Sequence, residues 1–222
     1  MNDYSQYGEG KVINHYFKDK KHGTVLDIGA NDGKTFSNSL SLIENGWRGI
    51  LIEPNKEAFN QLQELHKDRY EAGVLIPSQG CNPVLCLNLA IGKETKMTDL
   101  YINEPHIKGD NGLLSTFDEK QKLIWGDFFN NHKKQKVKMC TFNDLLKAHK
   151  YITTIDFITI DVEGLDFDVL TQIDFDKHNV KMVCVEYNNV NSEMYEQHMA
   201  KYGFNLHYKN FCNLIFTNDR LK

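Results

Sequence analysis

Thr24-Val-Leu-Asp-Ile-Gly-Ala-Asn-Asp-Gly-Lys34 is the stretch on which the reading of this chain turns. Thr24–Ile28 has the apolar run of a short buried strand, and Gly29 and Gly33 then break it into a turn. Phe36, Leu40, Ile43 and Trp47 follow at i, i+4, i+7 and i+11, the spacing of one helical face. A strand that ends in a glycine turn and opens a helix builds a ligand site. The glycines let backbone approach the ligand, and the first helical N–H groups lack partners within the helix.

Outward from that stretch, strand and helix patterns alternate. An amphipathic helix is expected over 8–18, within an N-terminal helical segment 1–22. A second strand, 49–53, ends at Pro54, and a helix over 55–67 places Phe59, Leu62 and Leu65 on one face. A third strand spans 84–92 and a short extra one 98–102. Residues 103–115 are irregular, with a helical pattern over 118–130, so 103–135 reads as a lid or substrate insert. Residues 137–140 lead into a helix capped by Thr141. Then come a strand over 155–161, a helix after Gly164 burying Leu165, Val169 and Ile173, and a strand over 180–186. A helix over 192–202 faces Tyr195, Met199 and Tyr202 inward. Two closing strands, 204–208 and 214–217, suggest a reversed strand at one sheet edge. The expectation is one α/β domain over 1–222, with a mostly parallel sheet wrapped by helices on both faces.

Bulk properties narrow the function. The 222 residues carry a net charge of -4, which gives no global basic field for nucleic acid. Lys133, Lys134, Lys136 and Lys138 form the single basic run and read as a solvated strand edge. Cys81, Cys86, Cys140, Cys184 and Cys212 show neither zinc spacing nor a disulfide framework, and Cys140 and Cys184 sit in apolar runs. The N-terminus is too polar for a signal peptide, and no apolar run approaches a membrane span. A soluble cytoplasmic protein is the expectation, with no oligomeric state assigned.

Ligands of open α/β sheets bind beyond the carboxyl ends of the strands. Asp27, Glu53, Asn88, Asp161 with Glu163, and Glu186 with Asn188 all fall at those ends. Glu53 follows Ile50, Leu51 and Ile52 and precedes Pro54, the position from which an acidic side chain takes ribose hydroxyls. Asp27 lies inside the apolar strand, where a carboxylate needs compensation. The turn is neither G-x-G-x-x-G nor a P-loop. An acidic residue at its start suits an amine-bearing ligand better than a pyrophosphate. S-adenosylmethionine has an amine, a ribose and no phosphate.

Several motifs in order extend this reading: Ser5-Gln-Tyr-Gly-Glu9, the turn itself, Gly46-Trp-Arg-Gly-Ile-Leu-Ile-Glu-Pro54, Asn88-Leu-Ala-Ile-Gly92, and Ile158-Thr-Ile-Asp-Val-Glu-Gly164 with Val169-Leu170. With them the chain resembles the FkbM-type methyltransferases, a branch of the class I S-adenosylmethionine-dependent enzymes. Gly10 departs from the acidic residue that often follows the N-terminal motif. The resemblance implies a Rossmann-like fold with a seven-stranded sheet carrying one antiparallel edge strand. It implies S-adenosylmethionine as cofactor and S-adenosylhomocysteine as product. Asp27, Gly29, Asn31 and Gly33 would form the turn around the methionine part, and Glu53 would hold the ribose. Asn88 and Ala90 would flank the adenine or ribose, Gln6 would reach in from the N-terminus, and Asp161 would sit near the sulfonium.

Asp161 is the first choice as base or substrate orienter, and Glu163 the second. Glu186 is a third possibility, and Glu163 could instead complement a helix dipole. The acceptor expected from the resemblance is a hydroxyl of a small molecule, sugar, glycan or secondary metabolite. The alternatives are an RNA methyltransferase or a non-catalytic module retaining the cofactor fold. Asp161, Glu163, Glu186 and Asn188 could together hold Mg²⁺ or Ca²⁺. That reading ranks below the metal-free one, so no residue is assigned to a metal. His106, Lys108 and His132 are left as solvated residues, and Trp125 as an anchor of the insert.

Overall fold

The computed structural model describes residues 1–68, 83–103, 113, 115–117, 126, 132–150, 152–188 and 191–221. In chain order its elements are α1 (Glu9–Tyr16), β1 (Thr24–Ile28), α2 (Leu40–Glu44), β2 (Arg48–Ile52), α3 (Lys56–Leu65), β3 (Val84–Leu87) and β4 (Ala90–Ile91). They continue with β5 (Lys96–Asn103), β6 (Ser115–Thr116), β7 (His132–Cys140), α4 (Phe142–Ala148), β8 (Phe157–Ile160), α5 (Asp166–Leu170) and α6 (Phe175–His178). The last are β9 (Met182–Glu186), α7 (Ser192–Ala200), β10 (Phe204–Lys209), β11 (Asn213–Asn218) and a 3₁₀ turn, Asp219–Leu221.

Strand β1 is buried along its whole length. It lies parallel between β2 and β8, with Asp27 opposite Leu51 on one side and Thr159 on the other. The seven-stranded sheet runs β10-β11-β9-β8-β1-β2-β3. All its pairings are parallel except those of β11, which is antiparallel to both β9 and β10. This is the Rossmann-like α/β sheet expected from the sequence, with one correction. The reversed strand is not at the edge: β11 sits one place in, and β10 forms the edge. A short turn forces β10 and β11 to be antiparallel. Burial then decides which is inner, since β11 is buried throughout and β10 is largely exposed.

Side chains alternate across β1. Val25 joins Ile13, Phe17, Trp47 and Phe59 under α1, α2 and α3. Leu26 and Ile28 join Phe142, Val169, Phe175 and Met199 under α4 to α7. Each fully buried side chain of this kind contributes about 1.5–3 kcal/mol relative to exposure, so both helical layers are bound to the sheet that carries the turn. Thr141 caps α4 as expected, its hydroxyl accepting the Asp144 N–H at 3.1 Å. Cys140 and Cys184 are buried free thiols, and Cys81 lies outside the described residues.

Other expectations need correction. The helix expected to open from the glycine turn is delayed. Asp32 accepts the N–H groups of Lys34 at 2.8 Å and Thr35 at 2.7 Å, Phe36 takes φ 56°, and α2 starts only at Leu40. Asp and Ser side chains compete with a helix by bonding nearby backbone, and Ser37 does so by accepting the Leu40 N–H. Leu40, Ile43 and Trp47 are buried as their spacing requires, but Phe36 is 47% exposed. Leu65 is exposed at the frayed end of α3, and Leu165 is half-buried.

The strand read over 84–92 is two strands in different sheets: β3 pairs with β2, and β4 with β7. A second sheet, β4-β7-β5-β6, was not foreseen as a unit. Its β5 and β7 extend the short strands read at 98–102 and 137–140. Lys134, Lys136 and Lys138 lie on the exposed face of β7, where Lys136 pairs with Asp99 at 2.9 Å and Lys134 sits 4.9 Å from the Tyr101 ring centre. Of the lid or substrate insert expected over 103–135, Asn103 ends β5, Ser115–Thr116 form β6 and 132–135 belong to β7, so these parts are strand. Almost all of the helix expected over 118–130, together with His106, Lys108 and Trp125, lies outside the described residues. Among the described residues, no helix is long and apolar enough to cross a membrane.

Candidate functional site

Beyond the carboxyl ends of β1, β2, β8 and β9 lies a cavity of about 660 Å³. Its lining includes Gln6, Asp27, Gly29, Asn31, Glu53, Ala90, Asp161 and Glu163, all singled out from the sequence. Glu186 and Asn188 also line it. Gly33 and Asn88 do not. Gly33 has φ 77°, and a Cβ there would run into Leu62, so it supports the turn from behind. The Asn88 amide donates to the carbonyls of Glu53 at 2.8 Å and Pro54 at 3.0 Å, fixing the backbone that carries Glu53.

The turn is built by backbone. The Gly29 and Ala30 N–H groups donate to the Ile52 carbonyl at 2.9 and 3.0 Å, and the Asp161 N–H donates to the Ile28 carbonyl at 2.9 Å. Gly29 has φ 97°, and a Cβ there would collide with the Asp161 carbonyl oxygen. Only glycine lets the ends of β1 and β8 come this close. Glu53 is buried, its carboxyl oxygens accepting the N–H groups of Asn31 at 2.8 Å and Asn55 at 2.7 Å. Burial raises its pKa to about 7 against the pull of those two bonds. Asp27 is buried as well. Burial raises it to about 6, opposed by the Ser39 hydroxyl that donates to it at 2.6 Å.

On the other side of the cavity are Asp161, Glu163 and Glu186, with one carboxyl oxygen of each within 4.8 Å of the others. Asp161 has an open face, but it opens on the cavity, whose walls displace much of the water a free carboxylate keeps. Burial, then the charges of Asp166 and Asp27, raise it to about 7, while a hydrogen bond from Glu186 opposes the rise. Glu163 is pushed up by burial and then by Asp161 and Asp166. Glu186 is pushed up by burial and then by Asp161 and Glu163. The Asn188 amide donates to Glu186 at 2.8 Å.

Asp166 holds this end in place. It accepts the N–H groups of Val162 at 2.8 Å and Gly164 at 3.1 Å, on either side of Glu163, whose φ is 53°. The Thr116 hydroxyl of β6 donates to the Glu163 carbonyl at 2.7 Å, tying the second sheet to the same loop. Four of the non-glycine residues with left-handed φ, Asn31, Phe36, Glu163 and Asn188, line this one cavity. Such conformations cost about 1–3 kcal/mol each and collect where function holds them.

Several lining residues escaped the sequence reading. Glu9 is fully buried, its carboxyl accepting the side-chain amides of Asn210 at 2.6 Å and Asn213 at 2.7 Å and the Tyr7 N–H at 2.9 Å. A signal existed, because Glu9 precedes Ile13 and Phe17 at helical spacing on the buried face. Thr159 could have been found as the residue two before Asp161 on the same strand face. Asn38, Cys212 and Asn213 come from a turn and a hairpin, and no periodicity pointed to them.

The chemistry of this donor set fits S-adenosylmethionine. The side-chain oxygens of Asn31 and Asn38 are buried and have no partner among the described residues, so both can accept from a ligand amine or hydroxyl. Glu53 is fixed by backbone with capacity left for further hydrogen bonds. The carboxylates favour a cation, which this cofactor is. The lining among the described residues contains no Lys, Arg or His.

No protein of curated function matches the chain. In three dimensions it is similar to a precorrin-8w decarboxylase from Methanobacterium thermoautotrophicum, with 14% identity over 96% of this chain and 90% of that one and a TM-score of 0.50. It is also similar to an S-adenosylmethionine-dependent methyltransferase from Agrobacterium tumefaciens, with 10% identity over 96% and 62% and a TM-score of 0.47. TrmK from M. capricolum, in complex with S-adenosylhomocysteine, matches at 9% identity over 97% and 70%, with a TM-score of 0.47. The family model described as the methyltransferase FkbM domain matches residues 27–208, from Asp27 of the turn to Tyr208 of β10. The chain therefore belongs to the FkbM family of S-adenosylmethionine-dependent methyltransferases.

Proposed function

We propose that this methyltransferase acts on oxygen, at a hydroxyl of a neutral sugar, glycan or secondary metabolite. The observation that carries the reading is the trio Asp161, Glu163 and Glu186, with carboxyl oxygens within 4.8 Å of one another. Bound S-adenosylmethionine supplies a methyl on a positively charged sulfur, and the sulfur keeps the electron pair of the broken bond. Asp27, Gly29 and Asn31 hold its amino-acid portion, Glu53 its ribose, and Ala90 and Gln6 flank it. An acceptor hydroxyl must lose its proton as its oxygen takes the methyl. Asp161 receives that proton. Glu163 and Glu186, whose carboxyl groups stand beside that of Asp161, orient the acceptor. Alignment of the two reactants supplies the rest of the rate.

A phosphate-bearing acceptor fits this site poorly. It would meet Glu9, Asp27, Glu53, Asp161, Glu163 and Glu186 with no cation among the described lining residues. That weighs against RNA. The test is methyl transfer from ¹³C-methyl-labelled cofactor to a panel of glycans and hydroxylated metabolites, read by mass spectrometry and the carbon shift of the product. An O-methyl product is expected. Label on nitrogen, or on RNA alone, would sink the proposal.

A further inference from the structure

We infer that Tyr7, Phe36 and Phe211 form an aromatic rim that receives the ring of the methyl acceptor at the mouth of the cavity. Exposed large aromatics are expensive to keep in contact with water, and these are 46%, 47% and 69% exposed. They come from the N-terminal segment, the loop after the glycine turn and the β10–β11 turn, and these three segments meet: Ser5 bridges to Phe36, and Glu9 accepts the side-chain amides of Asn210 and Asn213. Phe36 lines the cavity, and its backbone bridges to Ser5, two residues before Tyr7. Gln6, next to Tyr7, lines the cavity, as does Cys212, which directly follows Phe211.

The rim is held rather than loose. The Asn210 side-chain oxygen accepts the N–H groups of Cys212 at 2.9 Å and Asn213 at 2.6 Å, while its amide donates to Glu9 at 2.6 Å. The Tyr187 hydroxyl donates to the Asn210 carbonyl at 2.9 Å. Phe211 therefore stands outward from a turn locked to helix α1. Phe36 is held outward by its left-handed backbone.

What lies next to the rim identifies the occupant. Cys212 lines the same cavity as Asp161 and Glu163. A ligand at the mouth thus meets aromatic faces outside and hydrogen-bond acceptors inside. A ring with an apolar C–H face and hydroxyls at its rim matches both: the C–H face packs on the aromatics, and a hydroxyl points to the carboxyls. The inference rests on the hydroxyl-acceptor reading and makes Tyr7 and Phe211 determinants of acceptor specificity that leave the cofactor untouched.

The test is saturation-transfer NMR on the full chain with S-adenosylhomocysteine bound, using neutral methyl glycosides of glucose, galactose, mannose and rhamnose as probes. Saturation is expected on ring C–H protons of at least one glycoside. Phe211→Ala and Tyr7→Ala should each reduce it at least fivefold, and Phe211→Trp should restore it. Calorimetry should give S-adenosylhomocysteine affinity within twofold in every variant. A glycoside signal that persists in both alanine variants overturns the rim alone. No signal from any glycoside in the unaltered, S-adenosylhomocysteine-bound chain also overturns the rim, whereas the hydroxyl-acceptor reading beneath it fails only if the labelled-methyl screen gives no O-methyl product. Loss of cofactor affinity in both alanine variants would assign these aromatics to the cofactor instead.

Discussion

Glu53 illustrates how much one side chain carries. Its carboxyl accepts two backbone N–H groups, and an amide could accept only one of them and would oppose the other. Glu53→Gln is expected to weaken S-adenosylhomocysteine binding at least tenfold, measured by calorimetry; unchanged affinity would remove Glu53 from the cofactor site. Asp161 gives a sharper test. With its pKa raised to about 7, a base at this position gains activity as pH rises through neutrality. The kcat of the methyl transfer should climb between pH 6 and 8 and level off above. Asp161→Asn should cost about 10²-fold or more in kcat, the usual contribution of a positioned base. A flat profile in the unaltered enzyme would exclude a titrating base.

At the scale of elements, the contact of β1 with β8 and the loop after β8 decide the geometry of the site. Gly29→Ala places a methyl where the Asp161 carbonyl lies, at a left-handed φ. It should destabilise the fold by about 2 kcal/mol or more, read from chemical denaturation. Asp166 is a positioning residue, its carboxyl accepting the backbone N–H groups of Val162 and Gly164 around Glu163. Asp166→Asn keeps one acceptor and loses the other. The expected result is a fall in kcat with cofactor affinity unchanged and a displaced pH profile, a split that general destabilisation would not produce.

The whole molecule concentrates acid in one cavity, and this sets its response to pH. Asp27 and Glu53 have folded-state pKa values raised above those of the unfolded chain. Between about pH 4 and their raised values of about 6 and 7, the folded state holds protons that the unfolded chain has released. Stability from these groups therefore falls as pH rises through that window, and the full cost is present above pH 7. For Asp27 the cost is at most about 3 kcal/mol, at about 1.4 kcal/mol per pKa unit. Asp27→Asn should flatten the dependence of unfolding free energy on pH between 4 and 6; an unaltered slope would contradict the burial argument. Metal dependence is tested at the same scale. Methyl transfer is expected to continue in excess chelator, and its abolition, with rescue by Mg²⁺, would make Asp161, Glu163 and Glu186 ligands and displace Asp161 as base.

The positions of β1, β2, β8 and β9 along the chain and the polar residues at their ends were legible because a buried strand is a local pattern: an apolar run, then a polar residue, then a glycine or proline. Asp27, Glu53 and Asp161 could be picked out this way, each standing out against apolar neighbours. The inner position of β11, the second sheet and the delayed α2 were not legible. Strand neighbours are set by competition for burial between segments far apart in the chain, and the Asp32 turn overrode a helical spacing that was otherwise sound. Glu9, Asn38 and the Tyr7–Phe36–Phe211 rim belong to the same class. The chemistry of the strand ends was thus determined by the sequence alone. The far wall and mouth of the cavity were decided by tertiary structure, because only packing brings the N-terminal helix, the loop after β1 and the β10–β11 turn to one place.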